Sequence, residues 1–578
     1  MGEKEIREYI NLRNFLPTTE EELKARNVKN LDIILVTGDT YVDHPSFGIV
    51  LLWRLLESKG YKVGIIAQPE SVEDIRRLGK PNLFFGVSSG NVDSMVANYT
   101  ASRKKRKTDD YTPGGINNKR PDRAVIQYVN WIRQAFKDVK IVIVGIEASL
   151  RRFAHYDWWS DKVRKSILLD SKADILVYGM GERAILEIAE RISGGKSLEG
   201  IRGTMIWKTS ISLDNDNFIY LPSYEEVCTD KKKYAEAYRT IASNTEPFKY
   251  VVIVQKHDNR YAIQYPPSIP LTQRELDKLY LLPYTREVHP FYLSKGRVKA
   301  IETVRFSITS IRGCFGNCSF CAITNHQSTH VVSRSMDSIL EEVKLLTNMP
   351  EFRGTIFDVG GPTVNMWGLN CQVRSTKGQC ERNCLTPNIC KLAISSASSV
   401  DNSDAFIHLL KAIRSVPRVK HLFVESGIKH DLILASKLAD EIIYELVEFT
   451  PGQLKLAPEH VHHVVLRIMR KLQAELFLEF KKRFESAARS MGQNKYVIGY
   501  FLVAHPGESI KENLYLRDFV KRNLGYIPQQ VQIFTPTTGT VSTTIYYTGI
   551  DPFTGEVIYV EKRDKMRNEF KENIVTIK

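Results

Sequence analysis

Three closely spaced cysteines follow a short apolar run in the second half of the chain. Cys314, Cys318 and Cys321 have the spacing C-x3-C-x2-C and come shortly after the run 304–309. Soft thiolate ligands select iron–sulfur clusters, copper or zinc. A cubane cluster held by only three cysteines has one iron left to bind a small molecule. The alternatives are a zinc site with a fourth ligand from elsewhere, or thiols that bind no metal.

This spacing, with an aromatic residue before the last cysteine, resembles the radical S-adenosylmethionine (SAM) superfamily. In that superfamily the open iron chelates SAM, and an electron from the 4Fe-4S cluster cleaves SAM to a 5'-deoxyadenosyl radical. The resemblance implies that Cys314, Cys318 and Cys321 hold the cluster. It also implies a cofactor contact for Phe320.

The composition is that of an ordinary globular protein. The chain has 578 residues, of which 43% are hydrophobic and 25% charged, so we expect two or three domains. No apolar stretch approaches the ~18 residues of a membrane span, and the charged start resembles no secretory signal. We therefore expect a cytoplasmic protein without membrane contact. In that compartment the eight cysteines favour metal binding over disulfides.

The chain is strongly basic. Its net charge is +15, and part of the excess lies in the consecutive basic residues 103–107. Such a charge attracts anionic partners, and nucleic acid is one of them. No RNA-recognition or helix-turn-helix pattern accompanies the run, so a solvated surface loop remains an alternative.

Short apolar runs alternate with helical patterns in the first half of the chain. Continuous Val and Ile runs between helices are typical of a parallel sheet covered on both faces. Five such units predict a doubly wound, flavodoxin-like α/β domain over residues 1–195. From 196 to 295 the pattern weakens, and proline-rich turns predict a linker and cap segment. The predicted strands of the first domain are 31–36, 61–67, 83–87, 140–145 and 174–179.

The alternation restarts in the second half of the chain. Six β/α units predict a partial (β/α)6 TIM-type barrel over residues 296–548, followed by a C-terminal tail over 549–578. Such barrels carry their active sites on loops at the carboxyl ends of the strands, where the three cysteines also fall. The predicted strands are 304–310, 355–359, 420–425, 452–456, 496–504 and 530–534.

Glycines and polar residues occupy the ends of the later strands. Gly360 and Gly361 end the second strand, where paired glycines expose backbone carbonyls to a small ligand. By resemblance to the superfamily, this pair receives the amino group of SAM. Glu425 and Ser426 close the third strand and Glu459 the fourth. These three are candidates for contacts with the ribose and carboxylate of SAM, with a structural role as the alternative.

The fifth strand leads into a motif similar to the G-x-P-G-E signature of several radical SAM subfamilies. The segment 499–508 departs from that signature by a longer apolar stretch and by His505 before Pro506. The adenine contact is therefore defined only to within a residue or two, with Gly499 as its candidate.

A second group of four cysteines follows the second strand, at Cys371, Cys380, Cys384 and Cys390. Four thiols so close together are enough for a complete tetrahedral site. Three interpretations stay open for this insert over 366–395: structural zinc, an auxiliary iron–sulfur cluster, or cysteines that bind no metal. The spacing matches neither the bacterial nor the plant ferredoxin pattern.

The first strand-to-helix turn of the N-terminal half contains Asp39, Asp43 and His44. Cobalamin-binding domains of similar topology carry a D-x-H-x-x-G motif at this turn, with the histidine as cobalt ligand. Because Asp43 and His44 are adjacent here, the motif is not met and cobalamin is not expected. A turn that shapes a ligand crevice is the alternative.

Taken together, motifs over nearly the whole chain resemble the YgiQ-type radical SAM proteins. They include the glycine element 360–363, the four-cysteine insert and the segments 455–460 and 532–537. The resemblance implies a 4Fe-4S cluster, SAM, a radical SAM core barrel and an electron donor such as flavodoxin or ferredoxin. It implies no substrate, and the basic charge only favours an anionic one.

The sequence thus predicts a radical SAM enzyme that abstracts a hydrogen atom from a substrate of undefined class. Two other function classes fit parts of the sequence. A cobalamin-assisted radical methyltransferase would bind a corrinoid in the N-terminal crevice. A nucleic-acid-binding protein would hold zinc in both cysteine groups and would have no catalytic activity.

Overall fold

The computed structural model describes residues 14–211, 218–369, 371, 373, 380, 383–390 and 405–576. The fold is mixed α/β, and the chain divides into two compact units. The first unit runs to Arg305 and the second starts at Phe306, except that 234–239 and 270–277 belong to the second. Among the described helices, none combines the length and hydropathy that a membrane-spanning segment needs.

The first unit is built on a nine-stranded sheet whose order is β2-β1-β3-β4-β7-β8-β11-β10-β9, with β5 and β6 as a separate hairpin. Its strands are β1 (Ile33–Thr37), β2 (Val63–Ala67), β3 (Phe84–Ser88), β4 (Lys140–Ile143), β5 (His155–Asp157), β6 (Lys162–Arg164), β7 (Ile175–Val177), β8 (Thr204–Lys208), β9 (Phe218–Tyr220), β10 (Val252–His257) and β11 (Arg260–Gln264).

The first five strands of this order are parallel. Every residue of β1, β2 and β3 is buried, as expected for strands covered on both faces. Their apolar side chains form one core with those of the surrounding helices. The five strands correspond to the five predicted from the apolar runs.

The remaining strands differ from the prediction for 196–295. Instead of a linker and cap, this range supplies β8 to β11, which extend the sheet beyond β7 in mainly antiparallel pairing. The sequence pattern is weak there because β8 and β9 include partly buried positions and β9 and β10 include exposed ones, and pairing of such strands depends on neighbours distant in the chain.

Thirteen helices begin before Arg305, counted over the described residues alone. They are α1 (Glu20–Ala25), α2 (Gly48–Ser58), α3 (Val72–Arg76), α4 (Ser94–Asn98), α5 (Ala124–Ala135), α6 (Ile146–Leu150), α7 (Ile167–Ser171), α8 (Glu182–Ser193), α9 (Tyr224–Thr229), α10 (Lys231–Ser243), α11 (Gln273–Tyr280), α12 (Pro290–Leu293) and α13 (Ala300–Val304).

The second unit contains short strands in several small ladders. They are β12 (Ser307–Thr309), β13 (Ile311–Arg312), β14 (Val332–Ser333), β15 (Thr355–Ile356), β16 (Asp358–Gly360), β17 (His421–Leu422), β18 (Gln453–Glu459), β19 (Tyr496–Val503) and β20 (Val531–Ile533). Parallel pairing joins β12 to β16, β15 to β17, and β18 to β19 and β20. Consecutive strands of the predicted second half therefore lie side by side in chain order.

The helices of the second unit pack around these strands. They are α14 (Ala322–Gln327), α15 (Met336–Thr347), α16 (Ala405–Arg414), α17 (His430–Leu434), α18 (Ala439–Glu448), α19 (His463–Met469), α20 (Ala474–Ser490), α21 (Ile510–Asn523), α22 (Val541–Thr548) and α23 (Asp564–Val575). The single helix expected over 461–490 is two helices, because Arg470 adopts a left-handed backbone that ends α19.

The predicted tail over 549–578 is part of the second unit as far as it is described. Helix α23 buries Phe570 and Ile574 completely in the main core of this unit. The mixed basic and acidic composition of this segment suggested a tail, although its apolar residues lie on one face of the helix. The tail is therefore a structural element of the second unit.

Candidate functional site

The three cysteines lie on a tight turn between β13 and α14, which we call the cysteine loop (residues 313–321). Gly313 has a left-handed φ of 77°, and an added Cβ there would overlap the carbonyl oxygen of His330. Only glycine fits that position without strain. At the other end, Cys321 is the residue that precedes α14, and its N–H donates to the carbonyl of Cys318 at 3.1 Å.

The thiols of the loop are close enough to influence one another. Burial raises the pKa of Cys314, and the charge of Cys318 adds to that effect. Burial and Cys318 also raise the pKa of Cys321, to about 11. Because the thiolate is the metal ligand, a cluster bound here would have to displace these protons.

The donor set fits an iron–sulfur cluster. Among the described residues, no three His, Cys, Asp or Glu side chains converge on a single metal ion. A cubane cluster binds each thiolate through a different iron, so its three ligands need not converge. The N–H of Gly316 donates to the sulfur of Cys314 at 3.4 Å, a contact of the kind that tunes clusters.

A chain of hydrogen bonds connects the cysteine loop to Ser542 and His505. The hydroxyl of Ser319 lies 2.8 Å from that of Ser542, which lies 2.7 Å from Nε2 of His505. The N–H of Ser542 also donates to the carbonyl of Ser319 at 2.9 Å. Phe320 contacts the ring of His505 edge-on, with ring centres 6.1 Å apart. These contacts fix the loop against the start of α22.

The predicted glycine pair lies at the end of β16: Gly360 is its last residue and Gly361 follows it. Close packing explains why neither position has room for a side chain. An added Cβ at Gly360 would lie 2.5 Å from Oδ2 of Asp358 and 2.6 Å from the hydroxyl of Ser426. At Gly361 it would overlap the side chain of Ile311. Asp358 accepts hydrogen bonds from the N–H groups of Glu425 and Ser426, at 2.8 and 3.0 Å. The ends of the second and third strands are thus joined by one carboxylate.

Thr363 and Asn365 connect this glycine segment to the cysteine loop and to a lysine. The hydroxyl of Thr363 lies 3.3 Å from the sulfur of Cys314. The side chain of Asn365 exchanges two hydrogen bonds with the backbone of Lys429, at 2.9 and 3.0 Å. A Cβ at Gly316 would lie 3.1 Å from Cε of Lys429, so the lysine stem contacts the cysteine loop.

Lys429 carries a buried positive charge. Burial opposes that charge, but Asp431 and the two nearer thiols hold the pKa of Lys429 above its ordinary value. Those thiols belong to Cys318 and Cys314. The ammonium nitrogen lies 3.6 Å from a carboxylate oxygen of Asp431. Lys429 was not among the residues predicted for the site. Its place soon after the third strand was a usable signal, because sites of such barrels lie at strand ends.

Glu425 and Glu459 have different surroundings. Glu425 forms an ion pair with Lys455 at 2.5 Å, with both side chains more than one third exposed. Glu459 ends β18 with a left-handed φ of 69°, which is uncommon for a residue with a side chain. Burial raises the pKa of Glu459 against the opposing charges of Lys471 and Lys429. Glu459 therefore faces the same group of charges as the cysteine loop.

Gly499 does not join this group of strand-end residues. It lies in the interior of β19, and its N–H donates to the hydroxyl of Tyr526 at 2.8 Å. An added Cβ would lie 2.9 Å from the ring of Phe501. The strand ends at Val503, so packing inside the sheet accounts for this glycine.

The second cysteine group is described in part, since 370, 372, 374–379, 381–382 and 391–404 lie outside the described residues. Cys384 is buried in a small apolar cluster that also contains Cys314 and Phe315, with Cys390 packed against it. The N–H of Cys390 donates to the carbonyl of Cys384 at 2.8 Å. Cys371 and Cys380 are partly exposed. The metal predicted for this group stays a prediction.

The carboxyl edge of the first sheet contains buried ion pairs. Asp39 and Asp109 both contact the guanidinium of Arg120, at 2.6 and 3.1 Å. Asp43 pairs with Arg54 at 2.5 Å. All five side chains are almost completely buried. This edge is therefore stabilised by its own charges.

His44, weighed as a cobalt ligand, lies at the same edge. Its Nε2 lies 2.9 Å from a guanidinium nitrogen of Arg286, and its Nδ1 lies 2.8 Å from the hydroxyl of Ser46. Burial and the charge of Arg286 hold the pKa of His44 well below its usual range. Cobalt ligation would require one of these contacts to break.

Comparison with known proteins shows which family the chain belongs to. The family described as Radical SAM N-terminal matches residues 15–307, which is just over half of the chain. The chain belongs to this family. The radical SAM family predicted from the cysteine motif and the glycine element is confirmed, and with it a radical SAM enzyme for which SAM and a 4Fe-4S cluster are implied.

Relatives of this radical SAM protein match it over nearly its whole length. A UPF0313 protein of Thermotoga neapolitana is 61% identical over 566 residues, covering 97% of this chain and 98% of the relative. A UPF0313 protein of Thermotoga maritima is 60% identical with the same coverage. One from Clostridium botulinum is 48% identical over 559 residues, covering 96% of this chain and 85% of the relative.

Two solved structures of radical SAM proteins have distant similarity to this one. The methyltransferase TsrM from Kitasatospora setae, with cobalamin and a 4Fe-4S cluster bound, is 15% identical over 88% of this chain and 77% of its own, with a TM-score of 0.49. The cobalamin-dependent enzyme OxsB is 8% identical over 91% of this chain and 56% of its own, also with a TM-score of 0.49.

Proposed function

We propose that this protein reductively cleaves SAM at a 4Fe-4S cluster and uses the resulting 5'-deoxyadenosyl radical to abstract a hydrogen atom from a substrate. Cys314, Cys318 and Cys321 would hold the cluster. Gly360, Gly361 and the strand-end residues Glu425, Ser426 and Glu459 would orient SAM. The proposal includes Phe320 as a residue that borders the cofactor.

One observation carries this proposal: the hydroxyl of Thr363 lies 3.3 Å from the sulfur of Cys314. Thr363 ends the glycine element and Cys314 begins the cysteine loop, so the two motifs that the family resemblance assigns to SAM and to the cluster are in contact. Groups that belong to one cofactor site must meet in space. A coincidental pair of motifs would have no reason to do so.

The proposed architecture is more specific than the mixed α/β fold. We propose a flavodoxin-like first unit, supported by the parallel order β2-β1-β3-β4-β7. We also propose a partial (β/α)6 barrel for the second unit, supported by parallel pairing of successive strands. In such a barrel all the residues named above would share the carboxyl end.

The residues of the site would act on a bound cofactor by orientation and by exclusion of water. When bound, the cluster and SAM supply the one-electron chemistry. The backbone N–H of Gly316 donates to the sulfur of Cys314, and the hydroxyl of Thr363 lies 3.3 Å from the same sulfur. The hydrogen bonds of Ser319 with Ser542 hold the loop rigid while the substrate changes.

The test is anaerobic purification, reconstitution with iron and sulfide, and addition of dithionite and SAM, with 5'-deoxyadenosine as the readout. We expect a brown protein that releases 5'-deoxyadenosine. A colourless, zinc-loaded protein without SAM cleavage would overturn the proposal and favour the nucleic-acid-binding alternative. Bound corrinoid after expression with cobalamin would instead favour the radical methyltransferase alternative.

An anionic partner is proposed for the first unit, on the basis of its basic hairpin (residues 99–107). All five side chains from Arg103 to Lys107 are exposed, and among the described residues none of them forms an ion pair. The backbone N–H of Thr100 donates to the carbonyl of Lys104, and that of Arg106 donates to the carbonyl of Asn98, so the hairpin is held in shape. Concentrated charge on an ordered surface attracts polyanions.

Single-stranded RNA is the probe for this partner. We expect binding whose logarithm falls with the logarithm of salt concentration, by about 0.7 per phosphate contact. Replacing the five basic residues 103–107 with Gln should lower that slope. The same change at the control run 231–233, which is also basic, should leave it unchanged. Equal slopes for both variants would contradict this role of the hairpin.

The same proposal places the protein in the cytoplasm with flavodoxin or ferredoxin as electron donor. All eight cysteines lie among the described residues and none forms a disulfide, which suits a reducing compartment. Turnover with reduced flavodoxin or ferredoxin in place of dithionite would support these donors. A protein that turns over with dithionite but with neither reduced donor protein would contradict them.

A further inference from the structure

Lys429 is the one lysine in the described part of the chain that combines burial with contact to the cysteine loop. Its side chain is 12% exposed, and its stem lies against Gly316, between Cys314 and Cys318 in the chain. A lysine normally leaves its ammonium group in water. Burial beside two thiols requires a compensating negative charge.

Asp431 forms the described ion pair with this ammonium group, and Glu459 contributes negative charge from a greater distance. Asp431 is 6% exposed, and its nearest oxygen lies 3.6 Å from the ammonium nitrogen. This distance is longer than that of a charge-assisted hydrogen bond, about 2.7–2.9 Å. The ammonium group therefore has hydrogen-bonding capacity left for the thiolate side of the site.

The position of Lys429 is fixed by backbone contacts. Its N–H donates to Oδ1 of Asn365, and its carbonyl accepts from Nδ2 of the same side chain. Asn365 is two residues after Thr363, which contacts the sulfur of Cys314. The cysteine loop, the glycine segment and the lysine are thus held together by hydrogen bonds.

We propose that Lys429 is a positioning residue whose ammonium group keeps a fixed positive charge beside the cluster and raises the cluster's reduction potential. Reduction by one electron from dithionite adds one negative charge to the cluster. A nearby buried cation stabilises that added charge more strongly than a solvated one would. The inference rests on the proposed function, since it assumes that the three cysteines hold a cluster.

Changes at Asp431 and at Lys429 should shift the midpoint potential of the cluster in opposite directions, which tests the inference. A negative charge next to the ammonium group offsets part of its effect, so its removal should act in the opposite direction. Lys429→Met should lower the midpoint potential, Asp431→Asn should raise it, and Lys429→Arg should stay close to the unchanged protein. A purely structural role would give no such pattern of signs.

The experiment is a redox titration of the reconstituted full chain without SAM, followed by electron paramagnetic resonance of the reduced cluster. Lys411→Met is the matched control, because Lys411 is half exposed and pairs with Glu445 on the outside of the second unit. We expect the control to have an unchanged midpoint potential.

The outcomes separate this inference from the proposed function. Absence of a cluster in the unchanged protein would overturn the proposed function itself. A loaded Lys429→Met protein with an unchanged or higher midpoint potential would overturn the inference alone. If Lys429→Met fails to bind a cluster, Asp431→Asn decides, because an unchanged or lower potential there overturns the role of this charge pair.

Discussion

The carboxyl ends of the strands differ between the two units of this protein. In the first unit, the carboxylates of Asp39 and Asp43 meet buried arginines, and Glu147 accepts two hydrogen bonds from Ser94. In the second unit, the described residues give the carboxylate of Glu459 no hydrogen-bond partner, and the thiols of Cys314 and Cys318 lie near the ammonium group of Lys429. The carboxylates named for the first edge have partners within the protein, whereas the carboxylate of Glu459 at the second edge has none among the described residues.

This difference shows how to separate a structural edge from a chemical one. Both edges follow strands of an α/β unit, the usual location of ligand sites. A buried carboxylate that already has a cation or a donor within the protein serves the fold, whereas a buried carboxylate without such a partner is a candidate for ligand binding. By that criterion the second unit carries the chemistry of the chain.

The largest expected effect is the loss of the cluster in Cys318→Ala. Removing one of three thiolates should abolish the brown colour and reduce 5'-deoxyadenosine formation to background, since two thiolates cannot hold a cubane with one open iron. The measurement is iron content together with product formation. Cys228→Ala is the control, because Cys228 lies far along the chain from both cysteine groups, and it should leave both readouts unchanged.

The next effect tests whether the first edge is structural. Arg120→Met would leave Asp39 and Asp109 buried without their partner, a change that costs about 3–5 kcal/mol. We expect a correspondingly lower free energy of unfolding in urea, with hydrogen exchange confirming that β1 and β3 are affected. Arg76→Met breaks the exposed pair with Glu73 and should cost about 1 kcal/mol or less. Equal losses in the two variants would remove the distinction.

Gly361→Ala should have a smaller effect on stability. The added methyl group overlaps the side chain of Ile311, directly before the cysteine loop, and overpacking of this kind costs about 1–3 kcal/mol. We expect a lower melting temperature and weaker SAM binding by calorimetry. Gly452→Ala, where an added Cβ meets no atom within 4 Å, is the control and should leave both unchanged. A stable Gly361→Ala protein would show that this segment can shift.

The smallest effect concerns pH. Burial lowers the pKa of His505 to about 3, so the native state binds no proton there while the unfolded chain does so below pH ~6.5. Stability is therefore lost as pH falls through ~6.5, by about 1.4 kcal/mol at pH 5.5, until the native pKa is reached. His505→Gln should reduce the difference in unfolding free energy between pH 7.5 and 5.5 by that amount. The exposed His421→Gln is the control and should not change it.

Much of the fold was predictable from local pattern. The five parallel strands of the first unit and helix α2 follow from continuous apolar runs and 3.6-residue periodicity, which are properties of the sequence itself. The extension by β8 to β11 was not predictable in this way. Those strands all include partly buried or exposed positions, and the pairing of β8 with β11 joins segments far apart in the chain.

The candidate site likewise has features that local sequence predicts and features that depend on distant contacts. The spacing of the cysteines and the strand-end glycines already indicated a radical SAM protein, because ligand type and spacing limit which cofactor can be held. The signal for Lys429 was weaker, namely its place soon after the third strand, and its contact with Gly316 joins residues more than one hundred positions apart. Gly499 lies inside β19 as its predicted strand implies, but its packing against Tyr526 and Phe501 depends on the folded structure.

The sequence by itself determined the family, the ligands available to a cluster and the order of strands and helices, because these follow from residue type and local spacing. Only the tertiary structure decided which charges are satisfied. Burial of Asp39 with Arg120, and of Lys429 beside the cysteine loop, depends on which distant segments pack together. The strength of an electrostatic interaction depends on that burial, because water screens exposed charges and leaves buried ones strong.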